Sequence, residues 1–401
     1  MPLRILLLTD CFVPDTRSGA RQMHDLAVAF TTLGHRPSVV TPASHDALAT
    51  SKPIMENGIE VLRVDAGRIK HESRVMRAIH EAMLSPRLWR QARQFFLSNR
   101  FDLVVFYSPT IFFGHLVKRL RSLYDCPAYL ILRDIFPQWA VDAGLMHKGP
   151  IYWFFRAFEL AQYRAASVIG VQTPANKLYF QSSPRLTPFH VELLYNWVQI
   201  LPLPSPSEHH RTRLGLLDKV ILFYGGNLGV AQDTDGILEL ADRLRDRPNV
   251  HVLIAGSGSE EPRLRLILKK QKPSNATLIP SVPHETYMEL LNESDVGLVY
   301  LNRKLGTHNF PGKMLSYMML AKPMLASVNP GNDVVDLIRE HQIGFATSSG
   351  CDETFLHDAQ RLCDEPTLRR QLGLNGRKWL ESDFAAEKAA QTILEQSGLY
   401  F

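Results

Sequence analysis

The segment Leu222–Leu244, LFYGGNLGVAQDTDGILELADRL, joins an apolar strand-like run to an amphipathic helical one through a glycine-rich turn. Gly225, Gly226 and Gly229 leave room for a ligand to approach the backbone, and the first free N–H groups of a following helix carry a positive partial charge. That chemistry fits a phosphate, although a plain strand-to-helix connection uses the same residues. Further on, VHVLIAGSGSEEPRL places a second strand before Gly256-Ser257-Gly258, and LIPSVPHETYMELL a third before Ser281-Val282-Pro283. SDVGLVYL then leads into NFPGKMLSYMMLAKPMLAS, which reads as a strand, a loop bearing Lys313, a helix and another strand. Loops beyond the carboxyl ends of neighbouring parallel strands build nucleotide sites in open α/β sheets. Four of them suit a ligand the size of a sugar nucleotide.

The elements that must position these loops alternate strand and helix along the chain, which predicts parallel sheets covered by helices on both faces. At 401 residues the chain exceeds what one core supports, so two Rossmann-like domains of nearly equal size are expected. The first reads as strand 4–9, a long loop through Gly19, helix 20–33, strand 37–41, a basic helical stretch, strand 102–107, helix 112–123, strand 128–133, helix 151–164 and strand 167–171. It is expected to span 1–196. ILPLPSPSEHHRTR, rich in proline and polar residues, places an interdomain linker at 197–218, with the second domain at 219–383 and a terminal helix from 384 to 401.

Cys11, Cys126, Cys351 and Cys363 have neither metal-ligand spacing nor a disulfide framework, as expected of a reducing compartment. MPLRILLLTD is too short an apolar run for a signal peptide, and no stretch approaches the ~20 apolar residues that cross a bilayer. A cytoplasmic location is the expectation. The Asp and His residues show no ligand spacing, so no metal is expected. The net charge is +5, and Glu60 to Arg100 alone carries an excess of that size, together with Trp89, Phe95 and Phe96. Such a stretch suits either an anionic membrane surface or a solvated helix with its rings turned into the core. A second apolar candidate is IYWFFRAFELAQYRAA, from Ile151 to Ala166, which is either a core helix or one exposed to something other than water. Nucleic acid is a poor fit, since the charge does not track a groove with stacking aromatics.

Gly226-Asn227-Leu228-Gly229 with Ala231-Gln232, the Gly-x-Gly loop, the Ser-Asp-Val strand, and Gly312-Lys313 before Tyr317-Met318 resemble the WbuB-like branch of the family-four retaining glycosyltransferases. The resemblance extends over nearly the whole chain. It implies the GT-B fold, two Rossmann-like domains with parallel sheets facing a central cleft, and a terminal helix that packs back on the first domain. It implies transfer of an amino or deoxy sugar, N-acetylfucosamine in the typical member, from a UDP-sugar to an undecaprenyl-diphosphate-linked saccharide at the inner membrane face, without a metal.

Many members carry an Arg and a Lys on the diphosphate where this chain has Asn227 and Gln232. Backbone N–H groups of 225–229, the helix beginning near Asp233, and a cation from elsewhere must then stabilise the leaving diphosphate. Lys313 is the candidate cation; a solvated helix-start lysine is the alternative. Two glutamates of the family, one near the donor sugar and one on the ribose, align with His308 and Ser316. Ser316 retains a hydrogen bond to offer a ribose, and His308 is either a contact to the donor or a surface histidine.

Arg133-Asp134 resembles a segment that stands where other members place a catalytic-site histidine. Asp134 is a candidate to take the acceptor's proton or hold its sugar, and Arg133 to pair with phosphate; a helix-capping pair is the alternative. Gly19-Ala20-Arg21 opens the first helix, Gly19 leaving room for phosphate. The rival reading is a catalytically weak sugar-nucleotide-binding scaffold of a polysaccharide assembly complex, favoured by the missing glutamates and cations. An epimerase of similar shape lacks deep carboxylates here.

Overall fold

Strand runs such as LVVFYS and AYLIL are buried along their whole length, and RILLL from Ile5 on, as parallel strands covered on both faces must be. The computed structural model describes residues 1–15, 17–43, 47–50, 52–65, 81–142, 144–303 and 310–400. The chain divides into two compact units, Met1–Gln199 with Ala385–Phe401, and Ile200–Phe384.

The first unit holds β1 (Arg4–Leu8), β2 (Arg36–Pro42), β3 (Ile54–Glu56), β4 (Ile59–Val64), β5 (Leu103–Ser108), β6 (Ala128–Leu132), β7 (Val168–Val171) and β8 (Val191–Leu193), in the order β3-β4-β2-β1-β5-β6-β7-β8. All pairings are parallel except β3 with β4. The two-residue period of a strand sorts its side chains. Leu6, Leu8, Val104 and Phe106 enter the core under helices Leu84–Ser98 and Gly114–Tyr124, whereas Ile5, Leu7, Leu103 and Val105 enter the core under helix Ser18–Thr32 and the last helix, Ala386–Gln396.

The second unit holds β9 (Val220–Asn227), β10 (Val250–Ser257), β11 (Ala276–Ile279), β12 (Val296–Tyr300), β13 (Met324–Ser327) and β14 (Gly344–Thr347), ordered β11-β10-β9-β12-β13-β14 and wholly parallel. In each sheet the chain builds outward from a central strand and then returns to build the other way. The switch points therefore lie between β1 and β5, and between β9 and β12. Ligands of open α/β sheets bind beyond the strand ends at such points.

Two sequence expectations need correction, and one open alternative is decided. The basic stretch does not begin as helix: Asn57 and Gly58 both take positive φ, 51° and 81°, and turn β3 back on β4, as an Asn-Gly hairpin does. Trp197 is fully buried in the core of the first unit rather than in a linker, and Arg211 ties residues 209–214 to the second unit through the Glu293 carbonyl and the Asp295 carboxylate. In helix Leu84–Ser98 the rings of Phe95 and Phe96 are core, and Trp89 stacks on Phe96 beneath Arg119. Its aromatics thus follow the core alternative, with Arg90 and Arg93 solvated; residues 66–80 of that stretch lie outside the described residues. Among the described residues no helix is long and apolar enough to cross a membrane.

Candidate nucleotide site and the first-unit strand ends

The end of β9 runs in register with the end of β10, Gly226 beside Gly256 and Asn227 beside Ser257, so the two glycine-rich turns lie side by side. The glycines do different work. A Cβ on Gly225 would overlap the Tyr287 ring, one on Gly256 the Gly226 carbonyl, and one on Gly258 the Leu228 carbonyl. A Cβ on Gly229 would crowd the Asn227 amide. Only Gly226 of these five combines open space with a left-handed backbone, φ 118°. Of the five, Gly226 leaves the backbone open to a ligand's approach. Asn227 and Gln232, which stand where relatives carry cations, hold each other: Asn227 Nδ2 donates to Gln232 Oε1 at 3.0 Å, and the Gly229 N–H donates to the same oxygen at 3.2 Å.

Lys313 opens helix Lys313–Met319, and its Nζ lies 3.5 Å from the centre of the Tyr224 ring on β9. Its stem is partly exposed, but the ammonium is buried and has no hydrogen-bond partner among the described residues. Burial pulls its pKa down to about 7, because little around it solvates the charge. The Tyr224 hydroxyl donates to the Asn227 carbonyl at 2.9 Å, which ties the ring under the ammonium to the glycine turn. Ser316, one turn on, lies by the hydroxyl of Tyr287, the ring that covers Gly225. Ser281 is exposed and Val282 half-buried in the loop after β11, ahead of helix His284–Asn292, which carries Tyr287. His308 lies outside the described residues.

The helix expected to offer free N–H groups, Thr234–Arg243, supplies its own anion. The Asp233 carboxylate accepts from the Gly236 N–H at 3.1 Å, and Asp235, paired with Arg263 at 2.7 Å, follows in the first turn, so a phosphate at that end would meet the Asp233 carboxylate. Arg303, just past β12, lies 3.9 Å from Asp233. Tyr224, Tyr287 and Arg303 are the site residues that sequence reasoning missed. Tyr224 alone carried a signal, standing directly before the glycine pair.

In the first unit, Arg133 is buried and turned to the backbone. Its Nη1 donates to the Leu194 carbonyl at 2.7 Å and Nη2 to that of Tyr195 at 3.3 Å, while its guanidinium lies 4.9 Å from the centre of the Trp197 ring. It locks the strand β8 exit instead of presenting a fork to phosphate. Burial lowers its pKa to about 10. Burial raises that of Asp134, opposed by the charge of Arg133. Gly19 does not make room for phosphate, since a Cβ there would stand 2.9 Å from the Tyr107 ring. Ala20 is buried, and Arg21 is exposed and paired with Asp25 one turn on at 3.0 Å. Asp10 stands at the β1 end of this unit's switch point, held by Arg17 at 2.9 Å.

Two parallel α/β units in one chain, each with a switch point and the second with a glycine-rich strand end beside a buried cation, define the GT-B class of fold. Residues 207–379 match the family described as glycosyl transferases group 1, and residues 19–197 match the glycosyl transferase 4-like domain. The second unit thus carries a group 1 glycosyltransferase domain and the first a glycosyl transferase 4-like domain. It is 24% identical over 226 residues to the putative colanic acid biosynthesis glycosyl transferase WcaI of Escherichia coli K12, covering 54% of this chain and 55% of that protein. It is 26% identical over 201 residues to the putative glycosyltransferase EpsD of Bacillus subtilis 168, covering 49% of this chain and 50% of that protein. The chain thus spans about half the length of these curated relatives. Among solved structures, the fold matches sucrose-phosphate synthase from Thermosynechococcus elongatus, with TM-score 0.70, 15% identity and 98% of both chains covered. It also matches Anabaena HepE in complex with UDP-glucose, with TM-score 0.67, 15% identity and 99% of both chains covered.

Proposed function

We propose that this protein is a retaining glycosyltransferase that moves an amino or deoxy sugar, N-acetylfucosamine by its resemblance to the WbuB-like branch, from a UDP-sugar to an undecaprenyl-diphosphate-linked saccharide in bacterial surface polysaccharide synthesis. The acceptor's lipid places the work at the inner face of the cell membrane, reached from the cytoplasm. The observation that carries the reading is the buried ammonium of Lys313 at the β9/β12 switch point, without a hydrogen-bond partner among the described residues and set on the ring that is tied to the glycine turn. The UDP-glucose complex of HepE, a protein of the same fold, supports a nucleotide-sugar donor.

In this reading the diphosphate rests over Gly226, and Lys313 gains a counter-charge as the bond between the sugar and the phosphate oxygen breaks. The acceptor oxygen bonds to the same carbon on the same face, and its proton passes to the departing phosphate. Lys313 and the backbone N–H groups supply the charge stabilisation, so the reading contains no metal. Turnover of a small panel of UDP- and GDP-sugars tests it: donor cleavage confined to one UDP-sugar is expected, and cleavage of GDP-sugars alone overturns the donor assignment. The scaffold reading is favoured by the mutual pairing of Asn227 and Gln232. It predicts UDP binding with no donor cleavage and no transfer.

A further inference from the structure

Helix Pro150–Ala165 exposes Ile151, Trp153 and Phe154 to 65%, 55% and 43%, and the turn before it exposes Leu145 to 70%. Trp139, 38% exposed, joins them through rings: Trp139 to Phe136 at 6.1 Å, Phe136 to Phe155 at 5.0 Å, and Phe155 to Phe154 at 5.3 Å. From Phe154 the contacts continue to Phe158 at 5.1 Å and on to His115 at 5.8 Å. His115 opens a depression of about 790 Å³ between helices Gly114–Tyr124 and Pro150–Ala165. Lys118, Arg121 and Arg164 line it against a single carboxylate, Asp125, with Arg121 also donating to the Ala165 carbonyl. The helices meet this closely because Gly114 has no side chain: a Cβ there would lie 2.7 Å from the Gln162 nitrogen.

Water alone does not favour such a face, for large rings exposed side by side mark an interaction surface. We propose that this face docks on an anionic lipid surface, with Trp139, Trp153, Phe154 and Ile151 entering the headgroup boundary and Lys118, Arg121 and Arg164 meeting lipid phosphates. Indole and phenyl rings flanked by cations are what the boundary between water and acyl chain takes up. Exposed Lys148 stands between Leu145 and Ile151 and adds to the attraction. A second copy of the chain fits less well, since a two-fold contact sets the same patch against itself and brings cation onto cation. The proposal rests on the lipid-borne acceptor of the preceding reading and gives the membrane contact to this face in place of helix Leu84–Ser98, whose rings are core.

Sedimentation of the full chain with phosphatidylcholine vesicles, with and without phosphatidylglycerol, tests it. Wild type is expected to sediment with the anionic vesicles and to lose roughly tenfold in affinity when salt is raised from 0.1 M to 0.5 M, as exposed charges are screened. Trp153→Ser with Phe154→Ser should weaken binding to both vesicle types by tenfold or more, and Lys118→Glu with Arg164→Glu should remove the preference for the anionic ones. Arg93→Glu on helix Leu84–Ser98 should change binding less than twofold. UDP affinity should stay within twofold in every variant, which separates failure here from failure of the donor site. Wild type that ignores vesicles, variants of both pairs that bind as wild type does, or a dimer that the Trp153→Ser change dissolves would each overturn the proposal.

Discussion

Lys313 and Tyr224, far apart in the sequence of the second unit, meet ammonium to ring face, Nζ 3.5 Å from the ring centre. The ring contributes a weak attraction to the cation but none of the hydrogen bonds water would give. The phenol donates to the Asn227 carbonyl, so the ring under the cation is tied to the glycine turn. A lysine kept in that state gains most when an anion arrives.

Nucleotide affinity should therefore depend on pH. With its pKa near 7 in the free protein, Lys313 is half-neutral at neutral pH, and a bound diphosphate favours the charged form. Binding takes up a proton, and UDP affinity should fall by up to about tenfold per unit as pH rises above 7. Calorimetry in buffers of different ionisation heat should detect that proton, and Lys313→Met should remove both the uptake and the pH dependence. The free protein should show the opposite trend. The folded pKa lies below the unfolded one, so the unfolded chain binds more protons between about pH 7 and 10.5, and stability should rise with pH through that window.

Charge at the leaving phosphate matters more as the bond breaks than before. Lys313→Ala should lower kcat by roughly 10²-fold or more, as loss of a single preorganised stabiliser does, with a smaller change in UDP affinity. Lys313→Arg should recover part of the rate, the charge being kept while its position shifts. Wild-type transfer by Lys313→Ala would mean that backbone N–H groups hold the diphosphate unaided.

The glycines of the turn are separable by their neighbours. Gly225→Ala puts a methyl into the Tyr287 ring and should cost about 1–3 kcal/mol of stability, as overpacking does. Adding Tyr287→Ala should recover much of that loss, a coupling that a double-mutant cycle measures. Gly226→Ala meets no neighbour but holds an alanine at positive φ, so Tyr287→Ala should not rescue it.

Both sheets could be read in the sequence because parallel strands are buried on two faces and leave unbroken apolar runs, as RILLL and AYLIL do. The hairpin of β3 and β4 was hidden for the reverse reason: β3 is an edge strand with Ile54 and Met55 exposed, so no apolar run marks it, and the Asn57-Gly58 signal sits among charges. Of the site, the glycine positions and Lys313 were visible as types. What each glycine accommodates was not, since Tyr287 lies far along the chain from Gly225. The carbonyls of Leu194 and Tyr195 that engage Arg133 are equally remote in sequence.

Arg133 gives a direct test of that difference. Arg133→Met removes two charge-assisted hydrogen bonds and the contact with Trp197, and should cost roughly 2–4 kcal/mol in denaturant melts. UDP affinity should stay within twofold. A variant of normal stability with weakened phosphate binding would restore the phosphate role read from the sequence.

Asp134 separates function from stability by sign. Burial holds its carboxyl above the usual range, so the folded protein binds the proton more tightly than the unfolded chain does. Stability is therefore lost as pH rises from the unfolded value through the raised one, and the ionised carboxylate at neutral pH is a cost to the fold. Asp134→Asn should accordingly raise Tm at pH 7. If the carboxylate holds the acceptor sugar, the same change should lower transfer about tenfold or more, the worth of a charge-assisted hydrogen bond. It should also abolish an acid limb in kcat/KM that lies above the ordinary carboxylate range in wild type. Transfer unchanged by Asp134→Asn, with Tm raised, would leave Asp134 as buried charge without a part in the reaction.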